Sequence, residues 1–396
     1  MPCWNAASTI DRALGSVLAE REVPLECIVI DDGSTDGTAD LVEAMAERDP
    51  RIVLLRVPAN EGVSNARNRG LGAACGEWLA FHDADDQMLP GGIAALMRST
   101  SDPAVAAVIG QRVWSDGERT WLSPLYDIPD IREPGRKSIA THPGLLYYAS
   151  VTGKAYHRSL LDGLRFEGRV LGDQAWTIKA LLRAGNGIEV IDDTVFEWSR
   201  PHPDRFVATI TSISRSSATG SIEMATVART VYRDVCAEVD VRISDAQTRE
   251  AIKLAYFDRL VRSDMGNAIR PAIERRDPAT GQLFDAIAAF LEVVPRSILA
   301  ASDFLVSDLV QWPAWNWATL VPSARPGYWR MVRVALRADR TMSRRIATVR
   351  GVEPAYLLAR LEPPLGPMAA SAFMSFAAFA YRVLLRLRVI RDPRAR

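Results

Sequence analysis

Residues 27–37 read CIVIDDGSTDG. The run at 27–30 is short, apolar and rich in β-branched residues, which predicts a buried strand. Its C-terminal end delivers Asp31, Asp32, Gly33, Ser34, Thr35, Asp36 and Gly37, the place where open α/β sheets take their ligands. Two adjacent carboxylates can accept hydrogen bonds from a base and a ribose, and a Gly-Ser-Thr turn lets backbone come close. Read alone, the same residues are equally an Asp-rich turn leading into the next helix.

Working outward, strands are predicted at 52–57 and 78–81 with helices between, the order of βαβ units. Ser8 is placed as the N-cap of a helix carrying Ile10, Leu14, Val17 and Leu18, and Leu41, Val42 and Met45 mark a second helix. Pro90 suits the first position of a helix with Ile93, Leu96 and Met97. Beyond it the pattern is mixed: strands at 105–113, 188–191 and 195–198 and a helix at 174–183 predict a second layer or an edge of the same sheet. After Pro201-His202-Pro203 the β signal fades and helical spacing takes over. The expected organisation is therefore an α/β domain at 1–205, with a mixed central sheet, followed by an all-α domain at 206–396.

Two further motifs follow in the α/β part. The stretch 56–71, RVPANEGVSNARNRGL, is a loop with Asn60, Glu61 and Gly62 leading into a helix capped near Ser64. Arg67 and Arg69 fall in its first turns, where a helix N-terminus favours phosphate; by itself this is also an ordinary solvated arginine face. The strand at 78–81 ends in His82, Asp83, Ala84, Asp85 and Asp86. Alternation puts Asp83 and Asp85 on one side, and hard oxygen ligands of this kind hold Mg²⁺ or Mn²⁺ together with substrate phosphates. Three carboxylates within four residues repel unless a positive charge lies among them, and a metal–diphosphate supplies it.

These three motifs, in this order and spacing, resemble the family-2 glycosyltransferases with the nucleotide-sugar-binding GT-A fold, over roughly the first 200 residues. The resemblance implies that Asp31 and Asp32 read the nucleotide, that Asn60 and Arg67 belong to the donor site, and that Asp83 meets the ribose and diphosphate while Asp85 binds the metal. The family also has an acidic motif ahead of a helix, commonly Glu-Asp, whose Asp is the catalytic base. Here the residues are Leu171, Gly172, Asp173 and Gln174, so Asp173 matches the base and Gly172 departs from the pattern. A helix start keeps such a carboxylate ionised, and facing an acceptor hydroxyl it can take the proton; the plain alternative is an N-cap. Phe196, Trp198 and Arg200 resemble the aromatic-plus-Arg strand that closes the family's sugar site, and Lys154 is placed within reach of a phosphate.

The implied activity is inverting transfer of a hexosyl or N-acetylhexosaminyl group from a nucleotide-diphosphate sugar to a glycan or lipid-linked acceptor, in surface polysaccharide or other glycan synthesis. The family also begins with a hydrophobic strand ahead of a Pro-aromatic-Asn turn. In this sequence Met1 runs directly into Pro2, Cys3, Trp4 and Asn5. The turn is present and the strand is missing, and the expectation is that a strand precedes the turn in the native protein. The missing strand and Gly172 keep a non-catalytic nucleotide- or glycan-binding scaffold in view. A nucleotidyltransferase would need a Gly-rich basic loop after its first strand, which residues 2–8 do not provide.

Composition narrows the class. The 396 residues include 48 Lys or Arg against 48 Asp or Glu, which excludes the overall basicity of a general nucleic-acid binder. Four scattered cysteines suggest neither a zinc site nor a disulfide framework and fit a reducing, cytoplasmic compartment. No leader pattern opens the chain, and the weakly charged stretch 365–381 is shorter than the ~20 residues of a spanning helix. Residues 325–350 hold eight Arg against Asp339, with Arg330, Arg333, Arg337 and Arg344 near one face, and residues 382–396 hold six against Asp392. An anionic membrane surface or a polyanionic acceptor suits both segments, as does plain solvent. Trp312, Trp315 and Trp317 read as core packing, an interfacial anchor or a sugar platform. His202 is a weaker metal candidate, and the helical part offers a surface for a homo-oligomer.

Overall fold

The computed structural model describes residues 1–199, 218–302, 304–316 and 319–337. The chain divides into two compact units, Met1–Val207 with Asp234–Ile252, and Ala208–Arg233 with Lys253–Arg396. Residues Asp234–Ile252 group with the first unit.

In the first unit β1 (Pro2–Cys3), β2 (Cys27–Asp32) and β3 (Ile52–Val57) form a three-stranded parallel sheet in that order. All six residues of β2 are buried, as a strand covered on both faces must be. Between them run α1 (Ile10–Leu18) and α2 (Thr38–Ala46), and α3 (Val63–Ala73) follows β3. The strand expected to be missing is represented by β1, two residues long. Pro2 and Cys3 lie opposite Ile30 and Asp31, the Ile30 N–H donates to the Met1 carbonyl at 2.9 Å, and the Met1 ammonium donates to the Ile28 carbonyl at 2.7 Å. The exposed side of β2 is thereby hydrogen-bonded at Ile28 and Ile30, the groups that a missing strand would leave unpaired.

The second sheet is mixed. Its main path is β4 (Trp78–Ala80), β9 (Lys154–His157), β6 (Ala107–Ser115), β10 (Ile188–Ser199) and β5 (Gln87–Met88), with β7 (Thr120–Leu122) on the far half of β6 and β8 (Gly135–Lys137) on the near half of β10. Only β6 and β10 run parallel. The two strands expected at 188–191 and 195–198 are one strand with register shifts between Val190 and Phe196, a bulge that lets β10 serve β8 with one half and β5 with the other. Helices α4 (Gly92–Arg98), the short α5 (Pro129–Arg132) and α6 (Gly172–Ala184) complete the unit. One apolar core joins both sheets, including Cys3, Ile10, Val29, Met88, Val108 and Phe196.

Three helix starts differ from expectation. Helix α1 begins at Ile10 after Thr9, one residue beyond Ser8. Helix α4 begins at Gly92 behind a left-handed Gly91, leaving Pro90 outside. Helix α3 begins at Val63 behind Gly62, while the Ser64 hydroxyl donates across to the Gly168 carbonyl at 2.5 Å.

The second unit is helical among its described residues. Tyr232, Tyr256, Phe257 and Phe290 make an aromatic core with ring centres 5.8–6.3 Å apart. The helices Thr280–Leu291 and Arg325–Arg337 pack closely because a β-carbon at Gly327 would lie 2.4 Å from the Gly281 carbonyl oxygen. Arg330, in the expected arginine face, makes a two-bonded pair with Asp285 at 2.6 and 2.5 Å. The remainder of that face beyond 337, the segment at 382–396 and the stretch at 365–381 lie outside the described residues. Among those described, no helix is long and apolar enough to cross a membrane. Trp312 is half-buried beneath the Arg270 guanidinium, 5.7 Å from its ring centre.

Candidate active site

The turn after β2 is held from two sides. The Asn5 side chain accepts from the Thr35 N–H at 2.9 Å, and the Asn5 and Ala6 N–H groups donate to Ser34 and Thr38 at 2.9 and 2.8 Å. On the other side both oxygens of Asp32 are occupied, accepting from the N–H groups of Glu61 and Gly62 at 2.9 and 2.8 Å. Asp32 therefore fastens the loop ahead of α3. Asp31 instead lines a cleft of about 550 Å³ together with Gly33, Ser34, Thr35, Arg56 and Pro58. Gly33 sits at φ +73°, and a β-carbon there would come within 2.7 Å of the Ala59 backbone; glycine is what lets the two loops meet. Asn60 is exposed at the rim of that second loop.

The acidic end of β4 forms a turn in which the Asp86 N–H donates to the Asp83 carbonyl at 3.3 Å. Arg67 arrives from the second turn of α3, buried, and donates to Asp83 at 2.7 Å. Burial opposes its charge, but Asp83 and then Asp173 outweigh burial and raise its pKa. Asp86 is only 1% exposed and accepts from the Ser199 N–H at 2.9 Å. Burial first, then repulsion from Asp85 and Asp83, pushes its carboxyl well above the usual carboxylate range. Asp85 is half-buried, with its carbonyl held by Arg12 at 3.1 Å. His82, just before the motif, is buried, and its Nδ1 lies 2.8 Å from the Asp83 carbonyl. Burial lowers its pKa to about 4.

Asp173 lies in the first turn of α6 and is not its N-cap; that position belongs to Leu171, held left-handed at φ +61°. Gly172 has an explanation in the packing. A β-carbon there would lie 2.3 Å from the Glu167 carbonyl oxygen and 3.1 Å from the Ser64 hydroxyl. The loop before α6 is also clasped to α3 by Asn68, which donates to the Phe166 carbonyl at 2.8 Å and accepts from its N–H at 2.9 Å. Beneath, Trp176 stacks on Phe166 at 4.6 Å and meets Phe81 and Tyr156 edge-on. Asp173 is thus set on a rigid support, within electrostatic reach of Arg67 and Lys154.

Lys154 is placed differently from the phosphate reach assigned to it. It is 1% exposed, donates to the carbonyls of Ser150 and Thr152 at 2.7 and 3.4 Å, and lies 3.4 Å from the Tyr148 ring centre. Burial, and then Arg112, pull its pKa well below the ordinary lysine value. Arg112 spans the Tyr148 and Trp198 rings, 4.6 and 4.7 Å from their centres. Arg200 and His202 lie outside the described residues. The structure thus pairs Arg67 with Asp83, with Asp85 and Asp86 beside Asp83 in the same turn, and sets Asp173 within the electrostatic range of Arg67. Among the described residues, no three His, Cys, Asp or Glu side chains close into a cage for a metal.

Asp86, His82 and Arg112 carry no role in the sequence reading, and Asn5 enters it only as the end of the Pro-aromatic-Asn turn. Asp86 had a signal, the third carboxylate of a run too dense to be a relaxed turn. Arg112 had a weaker one, a cation inside a strand pattern. The hold of Asn5 on Thr35 is visible only once β1 lies beside β2.

Residues 1–165 match the model of the family described as glycosyl transferase family 2. Among curated proteins, the succinoglycan biosynthesis protein ExoO of Rhizobium meliloti is 46% identical over 87 residues, 22% of this chain and 24% of that protein. An uncharacterized glycosyltransferase of Nostoc, alr2836, is 30% identical over 160 residues, 40% of this chain and 50% of that one. The chain thus spans half or less of the length of these relatives. Among solved structures, residues 1–349 of Staphylococcus aureus TarS in complex with UDP-GlcNAc superpose with a TM-score of 0.62 at 20% identity, covering 83% of this chain and 89% of that one. The mixed-sheet unit has the GT-A fold, and residues 1–165 of the chain resemble glycosyl transferase family 2, whose model they match.

Proposed function

We infer that the chain moves a sugar, with inversion, from a nucleoside-diphosphate sugar to a hydroxyl of a glycan or lipid-linked acceptor. The observation that carries this reading is the buried Arg67 guanidinium, which pairs with Asp83 and is felt by Asp173. One cation thus links the diphosphate-side carboxylate to the base. The Asp31 cleft receives the nucleotide. Asp173 takes the proton of the acceptor hydroxyl as its oxygen bonds to the anomeric carbon, and the bond from that carbon to the diphosphate oxygen breaks on the opposite face. Arg67 stabilises the negative charge that gathers on the departing diphosphate.

Asp83 and Asp85 fit a Mn²⁺ or Mg²⁺ ion. The repulsion that raises Asp86 marks an excess of negative charge there, and two hard carboxylates suffice where donor phosphates complete the coordination. Such an ion supplies Lewis-acid neutralisation of the diphosphate. The relatives support a place in polysaccharide synthesis, since ExoO is a succinoglycan biosynthesis protein. The arginine-rich stretches suit work at the inner face of the membrane.

The test is Asp173→Asn, with binding and turnover measured separately. Donor binding should persist while transfer falls at least ~100-fold, the low end for a general base; turnover within a few-fold of normal would place the base elsewhere. Failure of the unaltered protein to hydrolyse any nucleotide sugar in the presence of Mn²⁺ would favour a scaffold that binds without turnover.

A further inference from the structure

We propose that Ser64 and Asn68 are positioning residues for the transfer step: from one face of α3 they fix where Asp173 stands relative to the donor's diphosphate side, which Arg67 attends. The proposal rests on the transferase reading and deepens it by assigning what holds the base in place.

Neither residue serves its own helix. Ser64 lies in the first turn of α3, a place where a hydroxyl ordinarily satisfies local N–H groups. Its hydroxyl instead donates to the Gly168 carbonyl at 2.5 Å, 104 residues away. Asn68 sits in the helix interior, where asparagine is a poor helix former. Its amide donates to the Phe166 carbonyl at 2.8 Å and accepts from the Phe166 N–H at 2.9 Å, 98 residues away. Ser64, Arg67 and Asn68 have the spacing of a single helix face. Between the two clasps the Arg67 guanidinium lies 5.6 Å from the Phe166 ring centre while it pairs with Asp83. One short face thus carries the cation of the diphosphate side and both holds on the loop.

The holds bear on Asp173 through the chain itself. The Ser64 hydroxyl lies 3.1 Å from where a β-carbon on Gly172, the residue before Asp173, would stand. Leu171, just ahead, is 5% exposed and keeps a left-handed φ of +61°, a conformation that persists only where the surroundings over-determine it. Downstream, Trp176 follows Asp173 by about one helical turn and stacks on Phe166 at 4.6 Å. Asp173 is therefore held between two points that both refer to α3. The loop entering α3 is in turn fastened to Asp32 in the turn after β2, by the Glu61 and Gly62 N–H groups. A single helix thus sets the spacing from the nucleotide side to the base. Loss of either clasp frees the loop at 166–172 while leaving Asp31, Arg67 and Asp83 in place, and a small misplacement of a reacting group costs much of its rate.

The experiment measures donor affinity by calorimetry and nucleotide-sugar hydrolysis in Mn²⁺ for S64A and N68A, each alone and combined with D173N. UDP-glucose, UDP-GlcNAc and GDP-mannose are the probes, and the one that the unaltered chain hydrolyses fastest is followed. Each single variant should lower turnover at least about tenfold while donor affinity stays within about twofold. Beside D173N the further loss should shrink to less than about twofold, because a residue that acts only through the base has nothing left to act on. Turnover within about twofold of normal in both variants, donor affinity that falls in step with turnover, or an undiminished loss beside D173N would each overturn the proposal. If N68A does not fold, N68D, which keeps an acceptor for the Phe166 N–H, takes its place. If the unaltered chain hydrolyses none of the probes, or D173N hydrolyses as fast as the unaltered chain, the transferase reading fails with its base. Hydrolysis that falls in D173N but not in S64A and N68A removes the positioning role alone.

Discussion

At position 172 a side chain has nowhere to go. Its β-carbon would lie 2.3 Å from the Glu167 carbonyl oxygen, so the glutamate common in the resembling family would have to push away the loop that Asn68 clasps to α3. Gly172→Glu should therefore destabilise the chain by about 1–3 kcal/mol through overpacking and displace Asp173, lowering transfer more than donor binding. Denaturant unfolding with paired kinetics checks both, and an active, stable variant would show that this loop yields freely. Asp85 gives a second prediction at this scale. Asp85→Ala removes a hard oxygen ligand and also one of the charges that raise Asp86. Calorimetry should show that Mn²⁺ no longer strengthens donor binding while the melting temperature is equal or higher. Undiminished metal dependence would move the ligand elsewhere.

Elements meet at the site through glycines in a way that separates two effects. Gly33 and Gly37 both have positive φ, +73° and +88°, but only Gly33 faces backbone within 2.8 Å, whereas nothing lies within 4 Å of Gly37. Gly33→Ala should cost about 2–4 kcal/mol, from strain plus contact, and Gly37→Ala about 1 kcal/mol, from strain alone. Equal costs in chemical denaturation would mean that the 58–60 loop does not rest on the turn. The same pair of elements shows what could be read in advance. Strand β3 was legible to the residue because a run of Ile, Val and Leu between turn residues has one plausible state. Strands β5, β8 and β9 were not, being two to four residues long, too short for any period and fixed by pairing with β10, β6 and β4. In the site, the motifs carrying Asp31, Asp83 and Asp173 were visible in one dimension. The occupation of Asp32 by two N–H groups and the burial of Lys154 depend on contacts 29 to 30 residues away or on packing around Tyr148, which local patterning does not encode.

For the molecule as a whole, acid stability reports on the site. His82 is buried beside the Asp83 carbonyl with its pKa lowered to about 4, against about 6.5 in an unfolded chain. Between those values the unfolded chain takes up a proton that the folded chain refuses. The contribution is thus fully present above pH 6.5 and is lost as pH falls from about 6.5 to 4, at up to ~1.4 kcal/mol per pH unit and about 3 kcal/mol in all. Two other effects act over the same range. The chain carries no formal net charge at pH 7, so acidification builds positive self-repulsion as carboxylates are neutralised. Asp86 works in the opposite sense, because its raised folded-state pKa makes the folded chain take up a proton first. Both act alike in a variant that changes only the imidazole. His82→Asn keeps a donor near the Asp83 carbonyl without the titration, so the difference between the two proteins isolates His82. Urea unfolding of metal-free protein from pH 7 to pH 4 should show the unaltered chain losing about 3 kcal/mol more than the variant. Parallel curves would mean that the imidazole protonates in place, and that the acidic end of β4 is wetter than its burial indicates.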